Sequence, residues 1–425
     1  MPSSDTGTVH IIGAGLAGLA AAVRLSAHGR TVDVHEATGQ AGGRCRSYYD
    51  HVTGMVIDNG THLLLSGNHA ALEYLQAIDA EHLLEGPPSA EFEFIDLANS
   101  QRWTVRFNDG QIPWWIFDKT RRVPQTRVRD YWPLIRLMWR SGDKPLSELM
   151  PCTGPLYERL VEPLFLAALN IEPLHGSGEL AGTIIRETLA LGGRACRPLI
   201  APDGIGNAFV APALRKLRER GIEVMLQRPL HALEFDDGRV SALDFGEERT
   251  ALGEHDSVIL AVPAYAAAAM VPELTVPSAF RSIVNAHFRI DPPAGFPRMI
   301  GAINSTSEWI FALPGRIAVT VSDAGELLEM PRADLAALIW REVASVTGLP
   351  GELPPWQIVR ERRATFAATP EENAKRPGPV TQWRNLALAG DWTATALPAT
   401  TEGAVRSGHR AADLIETMST WTRAA

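Results

Sequence analysis

Three glycines and one carboxylate near the start of the chain stand out by their spacing. Gly13, Gly15 and Gly18 lie in the sequence VHIIGAGLAG, and Glu36 ends the apolar run TVDVHE. The glycines permit a tight turn, a close approach of backbone to a pyrophosphate, and close packing of the following helix. The helix N-terminus offers free N–H groups to phosphates, and Glu36 can accept hydrogen bonds from a ribose. The spacing therefore predicts a dinucleotide site.

The elements that must position these residues can be read from the same stretch. An apolar strand precedes Gly13, a helix runs over residues 16–28 with Gly29 as its stop, and a second strand ends at Glu36. This strand–turn–helix–strand order matches the first unit of a doubly wound α/β sheet. A glycine-rich turn without these neighbours would be weak support for a nucleotide site.

Two further segments contain glycines beside charged residues. Gly42, Gly43 and Arg44 follow the second strand, where the backbone can pass close to a ligand and a guanidinium can reach its phosphates. Near the other end of the chain, an apolar strand is followed by Gly390 and Asp391, and then by a helix that begins near residue 400. Taken alone, either segment could be an ordinary surface loop or a capped helix.

Together with DNGTHLLLSGN (residues 58–68) and NDGQIPWWIFDKTRRVPQTRVRDY (residues 108–131), these segments resemble the flavin amine oxidase and phytoene desaturase superfamily. The resemblance is closest to the hydroxysqualene dehydroxylases, FAD-dependent enzymes of bacterial squalene and hopanoid biosynthesis, and it extends over nearly the whole chain. Ordinary amine oxidases lack the segment 108–131. Thr61, Ala396 and Thr401 depart from the pattern, because glutamine, glycine and isoleucine are usual at those positions.

The resemblance implies a noncovalent FAD. Asp391 is expected to accept hydrogen bonds from the ribityl chain, and the N–H of Thr401 is expected to face the N1–C2 edge of the flavin, where a helix N-terminus stabilises negative charge. The backbone near Leu230 is expected beside the adenine. The complete predicted cofactor set is Gly13, Gly15, Gly18, Glu36, Gly42, Gly43, Arg44, Thr61, Leu230, Gly390, Asp391 and Thr401.

The same resemblance implies reduction of the allylic alcohol hydroxysqualene to squalene, with hydride from FADH2 and loss of water. Such a reaction needs a proton source and a site that excludes water. His62 and Glu402 are the candidate catalytic residues, although either side chain could have a structural role, His62 in the core and Glu402 as a helix cap. Two alternatives remain open: a carotenoid or polyprenoid desaturase, and a non-enzymatic prenyl-binding escort protein of the same fold.

The fold class predicted is α/β. A Rossmann-like FAD-binding domain of the two-domain amine oxidase type is expected to be interleaved with a substrate domain of mixed sheet plus helices. The predicted FAD-binding domain comprises residues 1–68, 200–275 and 384–425. The predicted substrate domain comprises residues 69–199 and 276–383, with a Trp/Arg-rich helical segment at 108–140. Alternation over 91–107 and the apolar stretches 282–290 and 299–321 predict the strands of its sheet.

Composition and charge exclude several classes of protein. The net charge of −9 argues against a nucleic-acid partner, and the three cysteines (Cys45, Cys152 and Cys196) are too few and too widely spaced for a disulfide framework. No metal site is expected. The start of the sequence lacks the basic and apolar regions of a signal peptide, and no apolar run is long enough to span a bilayer. We therefore expect a cytoplasmic protein. That it acts on a small polyprenoid molecule is what the resemblance implies.

Residues 103–140 contain five tryptophans, and seven basic residues accompany them between residues 119 and 140 in an otherwise acidic chain. Tryptophan beside lysine and arginine is typical of a bilayer interface, because indole rings favour the headgroup level and basic groups favour anionic lipids. This pattern predicts peripheral contact with the inner membrane face through the Trp114–Trp115 segment. A helical subdomain with a tryptophan-rich core and a solvated basic face explains the same pattern.

Overall fold

The computed structural model describes residues 7–139 and 142–424 of the chain, with side chains described up to residue 418. The strands, in chain order, are β1 (Thr8–Ile12), β2 (Thr31–His35), β3 (Ser47–Asp50), β4 (Met55–Asp58), β5 (Leu64–Leu65), β6 (Glu91–Asp96), β7 (Gln101–Arg106), β8 (Pro198–Leu199), β9 (Val224–Met225), β10 (Ala232–Asp236), β11 (Arg239–Asp244), β12 (Arg249–Ala251), β13 (Ser257–Leu260), β14 (Phe280–Phe288), β15 (Met299–Ile303), β16 (Trp309–Leu313), β17 (Arg316–Val321), β18 (Trp356–Phe366) and β19 (Leu386–Leu388).

The helices, in chain order, are α1 (Leu16–Ala27), α2 (His69–Ala77), α3 (Trp132–Leu137), α4 (Leu146–Leu149), α5 (Glu162–Leu169), α6 (Gly178–Glu187), α7 (Ile205–Phe209), α8 (Ala211–Glu219), α9 (Ala264–Met270), α10 (Arg332–Thr347), α11 (Pro370–Ala374) and α12 (Thr401–Ala424). None of the helices in the described ranges is long and apolar enough to cross a membrane.

A five-stranded parallel sheet unites the two ends of the chain. Its strand order is β19–β13–β1–β2–β9, with every pair parallel. Its central strands are apolar and buried because helices cover one face and the antiparallel strands β10–β12 adjoin the other, where the His35 ring lies 4.8 Å from the Phe245 ring. Helix α12 packs against α1 so closely that a Cβ on Gly408 would lie 2.1 Å from the carbonyl oxygen of Ala17.

A seven-stranded mixed sheet forms the second large layer, in the order β18–β14–β17–β16–β15–β6–β7. The β15–β6 pair is parallel and the other pairs are antiparallel. Helix α10 covers one face, where Trp340 lies against Phe288 with ring centroids 5.0 Å apart. On the other face, Trp309 and Phe311 join the largest buried apolar cluster. The parallel sheet and the mixed sheet confirm the predicted α/β fold, whereas the domain division stays a prediction.

The tryptophans of residues 103–139 do not share one environment. Trp103 and Trp115 are buried, whereas Trp114, Trp132 and Trp139 are exposed. Trp115 belongs to a 3-10 helix (Trp114–Phe117) and turns inward against the core. The segment therefore has both a tryptophan-containing core and an exposed aromatic face. Arg140, part of the predicted segment, lies outside the described residues.

Candidate cofactor site

The first glycine turn has a backbone that a larger residue would distort. Gly13 has φ of +103°, and its N–H donates to the carbonyl of His35 at 2.7 Å. A Cβ on Gly13 would lie 2.5 Å from the carbonyl oxygen of Ala261, and a Cβ on Gly18 would lie 1.9 Å from that of Gly13. These two glycines therefore join the turn, the strand ends and helix α1.

Gly15 is different, because a Cβ built there meets no heavy atom within 4 Å. Gly15 is the N-cap of α1, and within the described chain no side chain bonds to this helix end and no acidic residue occupies its first turn. Open space beside unpaired N–H groups at a helix N-terminus is what a phosphate requires. Gly42, with φ of +108°, bonds to the carbonyl of Ala14 at 2.8 Å and forms the adjoining wall.

Glu36 is buried at the end of β2 and is already engaged with the turn. One carboxylate oxygen accepts a hydrogen bond from the N–H of Ala14 at 2.9 Å, and the other accepts from the N–H and hydroxyl of Thr38 at 2.9 and 2.8 Å. The N–H of Arg228 donates to the carbonyl of Glu36 at 2.9 Å, which brings the buried Leu230 into the same region. The ribose and adenine roles of Glu36 and Leu230 stay predictions.

An ion pair connects the second glycine segment to the C-terminal segment. Arg44 Nη2 lies 2.7 Å from Asp391 Oδ1, and Arg44 Nη1 also donates to the carbonyl of Ala364. Burial lowers the pKa of Arg44, but the Asp391 carboxylate outweighs it and raises that pKa overall. The Asp391 side chain is 8% exposed and that of Arg44 is 41% exposed, so part of the guanidinium remains open to a ligand.

The turn at Gly390 is held by several side chains. Gly390 has φ of +147°, and its N–H donates to Ser407 Oγ at 2.8 Å. A Cβ there would lie 2.3 Å from Nε1 of Trp392, whose indole N–H donates to the carbonyl of Val262 at 2.9 Å. The segment is therefore fixed to both α12 and the end of β13.

Arg376 is a buried residue of this site that the sequence did not indicate. Its guanidinium donates to the carbonyl of Asp391 at 3.2 Å, to Thr395 Oγ1 at 3.0 Å, and to the carbonyl of Thr393. Burial lowers the pKa of Arg376 to about 10, so the group remains charged at neutral pH. No motif marks this residue, because its partners are mainly backbone carbonyls contributed by any residue type.

Ala396 has φ of +68°, in the left-handed region that favours glycine. An alanine therefore stands where glycine is usual in the family, but the backbone has the conformation that favours glycine. The left-handed conformation costs an L-residue about 1–2 kcal/mol, which the surrounding contacts of the segment must offset.

Cys45 and His62 form a packed polar contact beneath the start of α12. Their Sγ and Nε2 atoms are 3.7 Å apart, and Thr401 also contacts the Cys45 thiol. Burial raises the pKa of Cys45 to about 12, so the thiol stays protonated and inert. Burial lowers the pKa of His62; Asp58 raises it, whereas Arg44 lowers it further. The His62 ring is therefore mostly neutral at pH 7.

Thr61 lies in a loop that the seven-stranded sheet holds in place. Its N–H lies 3.4 Å from Asn285 Oδ1, an oxygen that also accepts from Thr320 Oγ1 at 2.8 Å. Thr61 Oγ1 itself is buried and has no protein partner in the described part of the structure. A buried hydroxyl without a partner is costly, and a bound polar ligand would satisfy it. Asn285 was not indicated by the sequence.

Glu402 is buried and caps the N-terminus of α2, not that of its own helix. Its two carboxylate oxygens accept from the N–H groups of Ala70 and Ala71 at 3.1 and 2.8 Å, and Arg406 donates to it at 3.0 Å. These bonds fix α2 to α12. The catalytic role of Glu402 stays a prediction.

His10, Asp33 and His35 form a separate cluster whose potential ligand atoms lie within 4.8 Å of one another. Burial lowers the pKa of both histidines, that of His35 to about 3, and the Arg228 guanidinium lowers both further. That guanidinium lies over the Phe245 ring, which in turn packs on His35. The positive charge of Arg228 opposes binding of a divalent metal. The neutral His35 ring packs between the parallel sheet and the strands β10–β12.

Comparison with known proteins agrees with this geometry. The model of the family described as flavin containing amine oxidoreductase matches residues 16–416. The chain belongs to that family. It is 56% identical to a hydroxysqualene dehydroxylase of Rhodopseudomonas palustris over 96% of this chain and 98% of the relative. It is 54% identical to the hydroxysqualene dehydroxylase of Sinorhizobium fredii over 96% of this chain and 97% of that relative.

The fold is also that of flavin oxidases. Cyclohexylamine oxidase from Brevibacterium oxydans superposes with a TM-score of 0.73 at 16% identity, covering 97% of this chain and 99% of the oxidase. The protein is therefore an FAD-dependent oxidoreductase of this family, and the open helix N-terminus and the unpartnered Thr61 hydroxyl fit that cofactor. The desaturase and escort alternatives are not favoured by the names of these relatives.

Proposed function

We propose that the protein catalyses the reductive dehydroxylation of hydroxysqualene to squalene, in squalene and hopanoid biosynthesis. The observation that carries this proposal is 56% identity to a hydroxysqualene dehydroxylase over nearly the full length of both chains. In this reaction the allylic C–O bond breaks, the oxygen leaves as water after taking a proton, and a hydride replaces it on carbon. Reduced FAD, when bound, supplies that hydride.

The residues of the chain hold charge at defined places around the predicted flavin position. The N-terminus of α12 presents its positive dipole end at Thr401, which stabilises a nearby anion by about 0.3 to 2 kcal/mol. Arg44 adds a partly exposed guanidinium, and its 2.7 Å ion pair with Asp391 offsets part of that positive charge. This arrangement favours an electron-rich, anionic ligand ring.

His62 is our first candidate for passing a proton to the leaving oxygen. Two features support a relay role over that of a proton store. Its ring is mostly neutral at pH 7, and it lies near Thr401, because Cys45 contacts both side chains. Glu402 is the second candidate. Because three hydrogen bonds already engage its carboxylate, it supports the reaction chiefly by positioning α2 against α12.

A delocalised cation formed from the alcohol must be kept from water. The largest buried apolar cluster includes Trp309 and Phe311 of the mixed sheet and Trp392 of the C-terminal segment. A polyprenoid chain is compatible with such surroundings because burial of each CH2 contributes about 0.8 kcal/mol. Since the substrate is itself a lipid, we also propose that the protein acts as a peripheral protein at the inner membrane face.

The test is anaerobic single turnover. Purified protein is expected to be yellow; after reduction, addition of hydroxysqualene is expected to restore flavin absorbance and to yield squalene by mass spectrometry. Phytoene added to the oxidised protein is the control for a desaturase. Product from phytoene with none from hydroxysqualene would replace this proposal with the desaturase, and a colourless protein that refuses added FAD would favour the escort.

The relay role is tested with His62→Ala, using His51→Ala as a control because His51 is exposed. We expect His62→Ala to bind FAD but to lose at least about 100-fold in single-turnover rate, as is typical for loss of a proton-transfer group. An unchanged rate removes His62 from the reaction. Glu402→Gln is expected to lower the unfolding temperature while the rate at low temperature is largely kept.

A further inference from the structure

Five large apolar side chains are exposed on the segment between residues 112 and 139. Between 58 and 73% of each of these residues is exposed. Apolar side chains grouped in this way are uncommon on a surface that contacts only water. We name this set the aromatic surface; it consists of Ile112, Trp114, Phe117, Trp132 and Trp139. The rings of Trp114 and Phe117 are 6.0 Å apart, so at least this part is contiguous.

The aromatic surface stands on a rigid base. Trp115 and Tyr131, the chain neighbours of Trp114 and Trp132, turn inward and pack edge to face with centroids 5.2 Å apart. The Tyr131 hydroxyl accepts from the N–H of Val123 at 3.1 Å. Because the inward rings are fixed, their outward neighbours are held on adjacent turns. The exposed apolar side chains therefore belong to a folded, hydrogen-bonded segment and not to a loose loop.

Charge around the aromatic surface has the opposite sign to the rest of the protein. Residues 108–139 contain six basic and three acidic residues, whereas the whole chain has a net charge of −9. Of the basic residues, Lys119, Arg127, Arg129 and Arg136 are exposed. Exposed indole rings beside exposed basic groups match the headgroup region of an anionic bilayer in both polarity and charge.

We propose that the aromatic surface docks the protein on the anionic face of a lipid bilayer. The proposal rests on the proposed function for its purpose, since the substrate is a membrane-soluble alcohol. It also locates the contact differently from the sequence: Trp115 is buried, and Trp132 and Trp139 take part in its place. The apolar cluster beneath the surface includes Trp115 and Tyr131 and continues to Trp392, beside Asp391. The contact with lipid thus adjoins the same interior that faces the cofactor segment.

The experiment is flotation of the FAD-loaded protein with vesicles of phosphatidylcholine alone and with one quarter phosphatidylglycerol. The test variant is Trp114→Ser/Phe117→Ser/Trp132→Ser. The matched control is Tyr49→Ser/Val52→Ser/Val380→Ser, which removes three similarly exposed apolar side chains elsewhere. We expect wild type and control to float with anionic vesicles and the test variant to bind at least about 30-fold more weakly, from the lost apolar burial.

A second variant, Lys119→Gln/Arg127→Gln/Arg136→Gln, is expected to lose about 100-fold on anionic vesicles and little on neutral ones. Turnover of hydroxysqualene in detergent is expected to be unchanged in both variants, while turnover from vesicles falls with binding. Failure of wild type to float, equal binding by the test variant, or a wild-type dimer that dissociates in the test variant without any vesicle binding overturns the proposal. Absence of squalene from wild type in detergent, with flotation intact, instead rejects the proposed function.

Discussion

The glycine turn of residues 13–18 and the closing segment of residues 390–401 are both predicted to face the cofactor, but their shapes have different origins. In the turn, backbone atoms lie so close to Gly13 and Gly18 that neither position has room for a side chain. In the closing segment an alanine, Ala396, adopts the left-handed conformation. Arg376 holds the backbone of this segment, and Arg44 binds the Asp391 side chain from 347 residues away. Close approach of backbone atoms, both within the turn and from Ala261, determines the first shape, and side-chain contacts hold the second.

The largest expected effect separates two glycines within the first turn. Gly18→Ala places a methyl group 1.9 Å from a carbonyl oxygen, so we expect at least about 3 kcal/mol of lost stability. The methyl group of Gly15→Ala lies in open space, so we expect the free energy of unfolding of the apoprotein to stay within about 1 kcal/mol of wild type. We expect its affinity for FAD to drop at least about tenfold. Urea unfolding and FAD titration measure the two. Equal stability loss in both variants would contradict the assignment of Gly15 to the cofactor.

We expect the closing segment to be destabilised when Arg44 is replaced by a neutral residue. Arg44→Gln leaves the buried Asp391 carboxylate without its ion-pair partner, and we expect a loss of about 2 kcal/mol, less than for a fully buried pair because Arg44 is partly exposed. Asp391→Asn should cost less, about 1 kcal/mol, since water can solvate the guanidinium. A double-mutant cycle in urea measures the coupling, and additive effects would show that the contact contributes nothing.

We expect acid to lower the stability of the protein through His35 of β2, beside the first turn. The closing segment contains no histidine. Burial lowers the pKa of His35 to about 3, so below the ordinary value of 6.5 the unfolded chain takes up a proton that the folded protein excludes. Stability therefore falls as pH falls across this window, by about 2 kcal/mol at pH 5. His35→Phe should reduce this dependence in pH-dependent urea unfolding, and the exposed His51→Phe should not. An identical acid profile for His35→Phe rules out this origin.

The smallest expected effect concerns the left-handed alanine. Ala396→Gly should raise stability by about 0.5 to 1 kcal/mol, because relief of backbone strain exceeds the added entropy of the unfolded chain. Ala394→Gly, two residues earlier, gains no such relief and should be slightly destabilising. Thermal unfolding compares them. A destabilised Ala396→Gly would mean that the methyl group packs usefully in this conformation.

Residues that act on their chain neighbours could be predicted from the sequence. Gly18 could be predicted because a Cβ there would meet the carbonyl of Gly13 five residues earlier, and Gly13 because its positive φ favours glycine. Arg376 could not, since it donates to carbonyls that carry no side-chain signature. The cap that Glu402 provides to α2 spans more than 300 residues of sequence, so no local pattern encodes it.

The aromatic segment shows the same limit in another form. Its composition predicts contact with lipid through Trp114 and Trp115 together, but only Trp114 is exposed. The backbone of the 3-10 helix directs one ring outward and the next against Phe107 and Tyr131. Which of two adjacent tryptophans is buried depends on the packing partner, and the partner is not specified by neighbouring residues.

The central sheet has a consequence for biosynthesis of the protein. Strand β1 is made early, but its layer is completed by β19, and α1 gains its cover from α12, both encoded near residue 400. At roughly 5–20 residues per second, a ribosome needs on the order of half a minute to bridge that interval. During it, the emerging nascent chain exposes an alanine-rich helix and an unpaired strand edge. Cofactor capture and final burial of those surfaces must therefore await almost complete translation.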